Sequence, residues 1–185
     1  MNTIESYSKL NGLCVNMIPI GKSKLLDSAD YEFYFAISDI LSNQVVMSSD
    51  KIMHHSKTSC YRHMFNVAYY SYKMCKFFKL DYVSAARGAM LHDLYLYTWH
   101  KDRGVIMELL KRHLWVHPKI ALVNALQNFE LNDIEKDIIA KHMWPVTIKL
   151  PKYAETFIVG IADKFCCVME IFHDIFKRKE KKEDK

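Results

Sequence analysis

Glycine and proline are scarce in this chain: its 185 residues include five glycines and four prolines. Sandwiches and barrels need frequent tight turns, in which these residues predominate, so the composition argues against all-β architectures. Half of the residues are apolar and 13% are aromatic, which at this length is enough to bury one core. We therefore expect long helices packed around a single core.

Long apolar runs and cysteine pairs with metal or redox spacing are also missing. No stretch of 18 uninterrupted apolar residues occurs, and the first 20 residues show no basic region before an apolar segment, so we expect neither a membrane span nor a secretory signal. The cysteines are odd in number and have no CxxC spacing, which predicts reduced thiols and a cytoplasmic location. They are Cys14, Cys60, Cys75, Cys166 and Cys167.

The formal net charge is +5, and much of it comes from residues 177–185, KRKEKKEDK. A terminal run that mixes both signs is typical of a solvated helix end, so we expect no nucleic-acid binding. The rival interpretation is a basic helical nucleic-acid binder. That interpretation predicts binding that is lost at high salt and on deletion of the tail.

Apolar periodicity predicts an all-α, single-domain helical bundle of about six to nine helices. We expect an N-terminal accessory segment over 1–57, a main domain over 58–176 and a charged tail over 177–185. Pro118 predicts a change of chain direction, because a residue before proline is disfavoured in the helical region. The expected helices are 31–43, a short one within 44–57, Cys60–Lys79, Val83–Tyr95, Val105–Leu114, Lys119–Phe129, Asp133–His142 and one from about Tyr153, with another short helix before residue 29.

Polar residues interrupt two stretches that should be apolar. His92 and Asp93 follow the small residues of Gly88-Ala-Met-Leu, and Asp163 lies within Phe157–Phe165. A buried carboxylate costs several kcal/mol unless it is paired or bound to a cation. Asp163 could pair with Lys164 or Arg87, and a single buried histidine is usually structural. Three further histidines, His63, His117 and His142, each lie about one helix away from the next of these polar residues. Facing helices could therefore bring the four histidines, Asp93 and Asp163 to one metal site.

The order His63, His92-Asp93, Asp163 on helices resembles the HD superfamily of metal-dependent phosphohydrolases, over roughly residues 58–175. His117 and His142 resemble the extra ligands of its two-metal subfamilies, such as the YqeK-like diadenosine polyphosphate hydrolases and the HD-GYP phosphodiesterases. The chain lacks the His-His pair and the Gly-Tyr-Pro element of the HD-GYP group. Leu94-Tyr95 stands where the alarmone hydrolases have an acidic pair.

The resemblance implies one or two divalent transition metal ions, Fe, Mn, Zn, Co or Ni, which suit mixed imidazole and carboxylate ligands. His63, His92 and Asp163 would hold one ion, His117 and His142 the other, and Asp93 would bridge both. The implied reaction is hydrolysis of a phosphate ester or phosphoanhydride, with a nucleotide as the leading substrate, by a metal-bound hydroxide. Asp93 and Lys164 are the expected catalytic residues.

Several alternatives remain open at this stage. The chain could be a mononuclear enzyme similar to the 5'-nucleotidases of the superfamily, or a non-catalytic helical module that keeps a metal. A homodimer is possible, whereas a metalloprotease is not expected, because His113-x-x-x-His117 lacks the general-base glutamate. Further candidates are Arg62, Lys101 and Arg103 for phosphate, and Trp99, Trp115 and Trp144 for base stacking or packing. His54, His55, His100 and His173 have no partner at telling spacing and are expected to be exposed or structural.

Overall fold

The computed structural model describes residues 28–54, 58–96 and 106–183. These residues form eight α-helices and no β-strand, which confirms the expected all-α class. A 3-10 turn covers Ser49–Lys51, and an isolated antiparallel bridge joins Met53 to Ser59. The helices are α1 (Ser28–Ala36), α2 (Ser38–Leu41), α3 (Gln44–Ser48), α4 (Cys60–Phe77), α5 (Tyr82–Leu91), α6 (Ile106–Asn128), α7 (Asp133–Lys141) and α8 (Ala154–Glu183).

Side-chain caps explain where the main helices begin. Ser59 accepts a hydrogen bond from Arg62 N at the start of α4, and Asp81 accepts one from Ser84 N at the start of α5. Asn132 and Glu135 form a reciprocal capping box at the start of α7. Each cap satisfies a backbone N–H that has no partner inside its helix.

Helix α6 corrects the prediction of a break at Pro118. The helix runs through the proline, and His117 lies inside it rather than in an extended turn. Proline removes one backbone hydrogen bond, to the carbonyl four residues earlier, at a cost of about 3 kcal/mol or more that packing of the helix must offset. Here His117 and Pro118 are buried, and Ala121 and Ala125 are fully enclosed in the core. The α6 backbone is therefore held helical by burial of its inner face.

Helix α4 lies at the centre of the core, against α5 and α8. The segment before it packs onto the same core through Phe33 of α1, whose ring contacts Phe65, Tyr69 and Tyr72 edge-on or tilted, with centroids 5.3–5.7 Å apart. Such aromatic pairs stabilise beyond the area they bury. The predicted helix before residue 29 lies, for most of its length, outside the described residues.

Two glycines allow close helix contacts that position the site. A Cβ atom at Gly160 of α8 would lie 2.9 Å from the carbonyl oxygen of His142, and one at Gly88 of α5 would lie 2.9 Å from the Ile138 side chain of α7. The missing side chain at Gly160 thus lets α8 approach the end of α7 directly.

Cys60, Cys75, Cys166 and Cys167 form no disulfide among the described residues, and Cys14 lies outside the described ranges. Among the helices described, none has the length and apolar character needed to cross a membrane.

Candidate metal centre

Five helices bring the predicted ligands to one buried cluster. His63 lies in the first turn of α4, His117 in the middle of α6 and Asp163 in α8. His92 and His142 are the C-cap residues of α5 and α7, and Asp93 follows His92. All six residues are at least nine-tenths buried. The structure therefore brings together every metal ligand proposed from the sequence.

One half of the cluster is centred on His63 and Asp163. His63 Nε2 lies 3.1 Å from Asp163 Oδ1, and His92 Nε2 lies 3.9 Å from the same oxygen. His92 Nε2 also lies 3.6 Å from Asp93 Oδ2. Two imidazole nitrogens and two carboxylate oxygens thus surround one small volume.

The other half is formed by His117 and His142. Their Nε2 atoms lie 3.1 Å apart, and they lie 3.3 Å and 3.6 Å from Asp93 Oδ1. The two oxygens of Asp93 therefore face different histidines: Oδ1 faces His117 and His142, and Oδ2 faces His92. This is the arrangement of a carboxylate placed between two donor sets.

These spacings match the separation of ligands around a metal. Ligand atoms bound about 2.0–2.2 Å from one ion lie about 3.0–3.6 Å from each other. Within each half, the donor-to-donor distances of 3.1–3.9 Å fall at or near this range. His63, His92 and Asp93, and likewise Asp93, His117 and His142, can each place one donor atom within 4.8 Å of the others. Both groups could hold a metal ion.

Two buried atoms of the cluster support the same conclusion. His92 Nε2 and Asp93 Oδ1 make no hydrogen bond to any residue in the described part of the chain. An unsatisfied buried polar atom costs about 1–3 kcal/mol. A cation would satisfy both atoms, because an imidazole lone pair and a carboxylate oxygen are metal donors.

Hydrogen bonds at Nδ1 fix the orientation of the His92 and His142 rings. Nδ1 of His92 lies 2.6 Å from the carbonyl oxygen of Ala89, and Nδ1 of His142 lies 3.1 Å from that of Ile139. A carbonyl only accepts, so each Nδ1 carries the hydrogen, and in the neutral ring Nε2 carries the lone pair. Both histidines lie at helix ends, where few backbone N–H groups remain for the last carbonyls. The Ala89 carbonyl also accepts from the His92 backbone N–H.

His63 is fixed by a carboxylate instead. Its Nδ1 lies 3.0 Å from Glu170 Oε2, and Asn66 Nδ2 donates to the other Glu170 oxygen at 2.8 Å. Metal-bound histidines characteristically donate their second N–H to such an acceptor. Glu170 and Asn66 were not identified from the sequence; the recognisable signal for Glu170 was an acidic residue seven positions after Asp163, on the same face of the same helix.

Charge in the cluster is tightly coupled. Burial opposes charge on His63, but its hydrogen bonds to Asp163 and Glu170 outweigh that effect and raise its pKa to about 10. Burial and the neighbouring His92 lower the pKa of His142 to about 3. Despite burial, the surrounding histidines hold the pKa of Asp93 and of Asp163 below the usual range. Both carboxylates are therefore ionised at neutral pH, the state that binds metals.

His54, expected to be exposed or structural, lies against the cluster. It is buried, its Nε2 lies 3.0 Å from Asp93 Oδ2, and its ring stacks on His63 with centroids 3.9 Å apart and planes 15° apart. His54, His63 and Cys167 can place donor atoms within 4.8 Å of one another. An ion binds in the plane of an imidazole ring, however, so two parallel stacked rings do not direct their lone pairs at one ion. We interpret His54 as a hydrogen-bond donor to Asp93.

Some of the residues predicted to contact phosphate or a base lie in the described part of the chain. Lys164 is half exposed, donates to the Gly160 carbonyl at 2.9 Å and lies 4.0 Å from Asp163 Oδ2. Arg62 packs its guanidinium over the Phe65 ring. Trp144 packs edge-on against Phe157, whereas Trp115 and His173 are exposed. Lys101, Arg103, Trp99, His55 and His100 lie outside the described residues.

In comparisons with known proteins, no family model, no curated protein and no solved structure matched the chain. The function of the chain must therefore be inferred from the geometry of these side chains and from the resemblance in its sequence.

Proposed function

We propose that this chain is a metal-dependent phosphohydrolase of the HD type with a two-ion centre. The observation that carries the proposal is the common orientation of His63, His92 and His142. Each holds Nδ1 against a carboxylate or carbonyl acceptor and directs Nε2 toward Asp93 or Asp163. Structural histidines rarely need this arrangement, whereas metal ligands do.

The residues fall into two ligand sets that share Asp93. His63, His92 and Asp163 would hold one ion, and His117 and His142 the other, with the Asp93 oxygens Oδ2 and Oδ1 facing the first and second set. Two such ions, when bound, make water nucleophilic near neutral pH and stabilise charge on phosphate oxygens. The chain's own contribution is a rigid, largely dry set of donors, since five helix positions fix the six side chains.

Lys164 is the residue best placed to bind a substrate phosphate. Its backbone directly follows Asp163, and about half of its side chain is exposed, so the ammonium can leave the Gly160 carbonyl and turn toward an incoming anion. An ammonium is a compact point charge that suits phosphate oxygens. We propose a phosphate ester or phosphoanhydride of a nucleotide as substrate.

The proposal is tested by metal analysis and hydrolysis on the same preparations. Plasma mass spectrometry of the purified chain and of His142→Ala is combined with assays on an aryl phosphate ester and a nucleotide panel. His173→Ala is the matched control, since His173 is an exposed histidine on α8. We expect two metals per chain, one in His142→Ala with hydrolysis lost, and no change in the control.

Other outcomes identify the alternatives. One metal that survives His142→Ala together with activity supports a mononuclear enzyme. Metal binding that stabilises the fold without turnover of any substrate supports a non-catalytic module. A chain that takes up no metal under any reconstitution excludes the proposal.

A further inference from the structure

The outward face of α8 carries an apolar stripe. Its five members follow one another at alternating intervals of four and three residues, and each is 45–55% exposed: Ile161, Phe165, Val168, Phe172 and Ile175. The opposite face of α8 is buried in the domain through Val159, Ala162 and Cys166. Helix α8 is therefore apolar on two faces: the described part of the chain buries the first and leaves the stripe about half exposed, with an edge-on contact between the Phe165 and Tyr70 rings at one point.

The spacing of the stripe is that of a helix–helix seam. A helix at a protein surface normally turns a polar face to solvent, whereas residues at alternating intervals of four and three line the contact between paired helices. The stripe extends for about 21 Å along α8. Two heptads are too short for an independent coiled coil, so the seam fits a contact between two folded domains.

The size of the stripe suits a second copy of the chain. Five half-exposed side chains of this size present about 500 Å² of apolar surface, and two copies would bury about 1,000 Å², the lower limit for a specific interface. Monomeric proteins rarely expose a contiguous apolar patch larger than a few hundred Å². The patch is also self-complementary, as a two-fold interface requires.

We propose that two copies of this chain pair through their α8 stripes in antiparallel orientation. Val168 then lies at the two-fold axis, and Ile161 faces Ile175 of the second copy. The charge at the C-terminal end of α8 favours this orientation: residues 177–183 include five basic and two acidic residues. Parallel helices would place two such segments side by side, whereas antiparallel helices separate them. The proposal does not depend on the metal centre.

Variants that introduce complementary charges into the stripe test the pairing, and sedimentation equilibrium of the full chain measures it. Ile161→Lys and Ile175→Glu each place a charge in an apolar contact, and we expect either change to raise the dimer dissociation constant roughly a hundredfold. In the antiparallel pair, the double variant opposes Lys to Glu twice, so dimerisation is restored. Within one chain the two positions lie too far apart to pair.

Val123→Lys is the control, because Val123 is 53% exposed but lies on α6; this variant should dimerise like the wild type. Thermal melts of the variants show whether each remains folded. A wild-type chain that sediments as a monomer at micromolar concentration overturns the proposal. A double variant that dimerises as weakly as its parents also overturns it, since parallel helices or a different interface would then be required.

Discussion

Nδ1 of His63 lies 3.0 Å from Oε2 of Glu170, on the side of the imidazole ring away from Asp163. Asn66 holds the other oxygen of Glu170, and all three side chains are buried. Despite burial, the hydrogen bond from His63 keeps the pKa of Glu170 below its usual range, so the acceptor is a carboxylate. This carboxylate fixes both the direction and the tautomer in which His63 can present Nε2 to an ion.

The contact predicts that Glu170 controls metal affinity without binding metal. Glu170→Ala should weaken metal binding about 10–100-fold, since His63 loses its orienting acceptor. Glu170→Gln, whose amide oxygen can still accept, should lose less. Competition titrations with a chromogenic chelator measure both, and Glu130→Gln in the exposed turn before α7 is the control. Equal affinity in Glu170→Ala and the wild type would show that the contact is purely structural.

The hydrogen bond between His54 Nε2 and Asp93 Oδ2 gives a second prediction. His54 orients a carboxylate shared by both ligand sets, so His54→Ala should lower kcat by about 10–100-fold while reducing metal content less than His142→Ala does. Assays and metal analysis are made on the same samples, beside His173→Ala. Unchanged kcat in metal-loaded His54→Ala would exclude a role for His54 in positioning Asp93.

Much of the fold and of the candidate metal centre was predictable from local features of the sequence. Helical periodicity identified α4, α5, α7 and α8, and the buried polar residues His92, Asp93 and Asp163 stood out because polar groups are expensive in an apolar helix. The six predicted ligands are adjacent because each lies on the inner face of its helix or at its inner end.

The failures came from tertiary effects. At Pro118 the local rule predicted a turn, but burial of the α6 face keeps the helix continuous. His54 showed no spacing relationship to the six predicted ligands, because a short connector rather than a helix carries it to the cluster. There the bridge between Met53 and Ser59 and the hydrogen bond from His54 N to Thr58 O fix its backbone. Such pairing across a loop leaves no periodic signal.

Gly160 links the packing of α8 to His142, one of the candidate ligands. A Cβ atom there would lie 2.9 Å from the His142 carbonyl oxygen, a backbone atom that cannot rotate away. Gly160→Ala should therefore cost about 1–3 kcal/mol of unfolding free energy and lower the metal content toward one per chain. The stability control is Ile40→Val, a core substitution distant in sequence from Gly160 and from the candidate ligands, which should cost about 1 kcal/mol. Denaturant melts with metal analysis separate the effects; full metal content in Gly160→Ala would mean that His142 adapts.

The raised pKa of His63 predicts that metal binding depends on pH. With a pKa of about 10, His63 carries both ring protons in the metal-free protein at neutral pH. An ion at Nε2 must displace one of them, so binding releases a proton. Apparent affinity should then rise by up to about tenfold per pH unit between about pH 7 and pH 9. The dependence should level off as the pH passes the pKa of His63.

His142 supplies the internal control for this dependence. Its pKa of about 3 leaves Nε2 unprotonated throughout the same range, so an ion bound there displaces no proton from it. In His142→Ala, the affinity for the ion at His63 should keep its dependence on pH. In Glu170→Gln this dependence should flatten, because losing the carboxylate lowers the pKa of His63. Calorimetric titrations in buffers of different ionisation enthalpy count the protons released. A pH-independent affinity with no proton release would show that His63 does not ligate the ion.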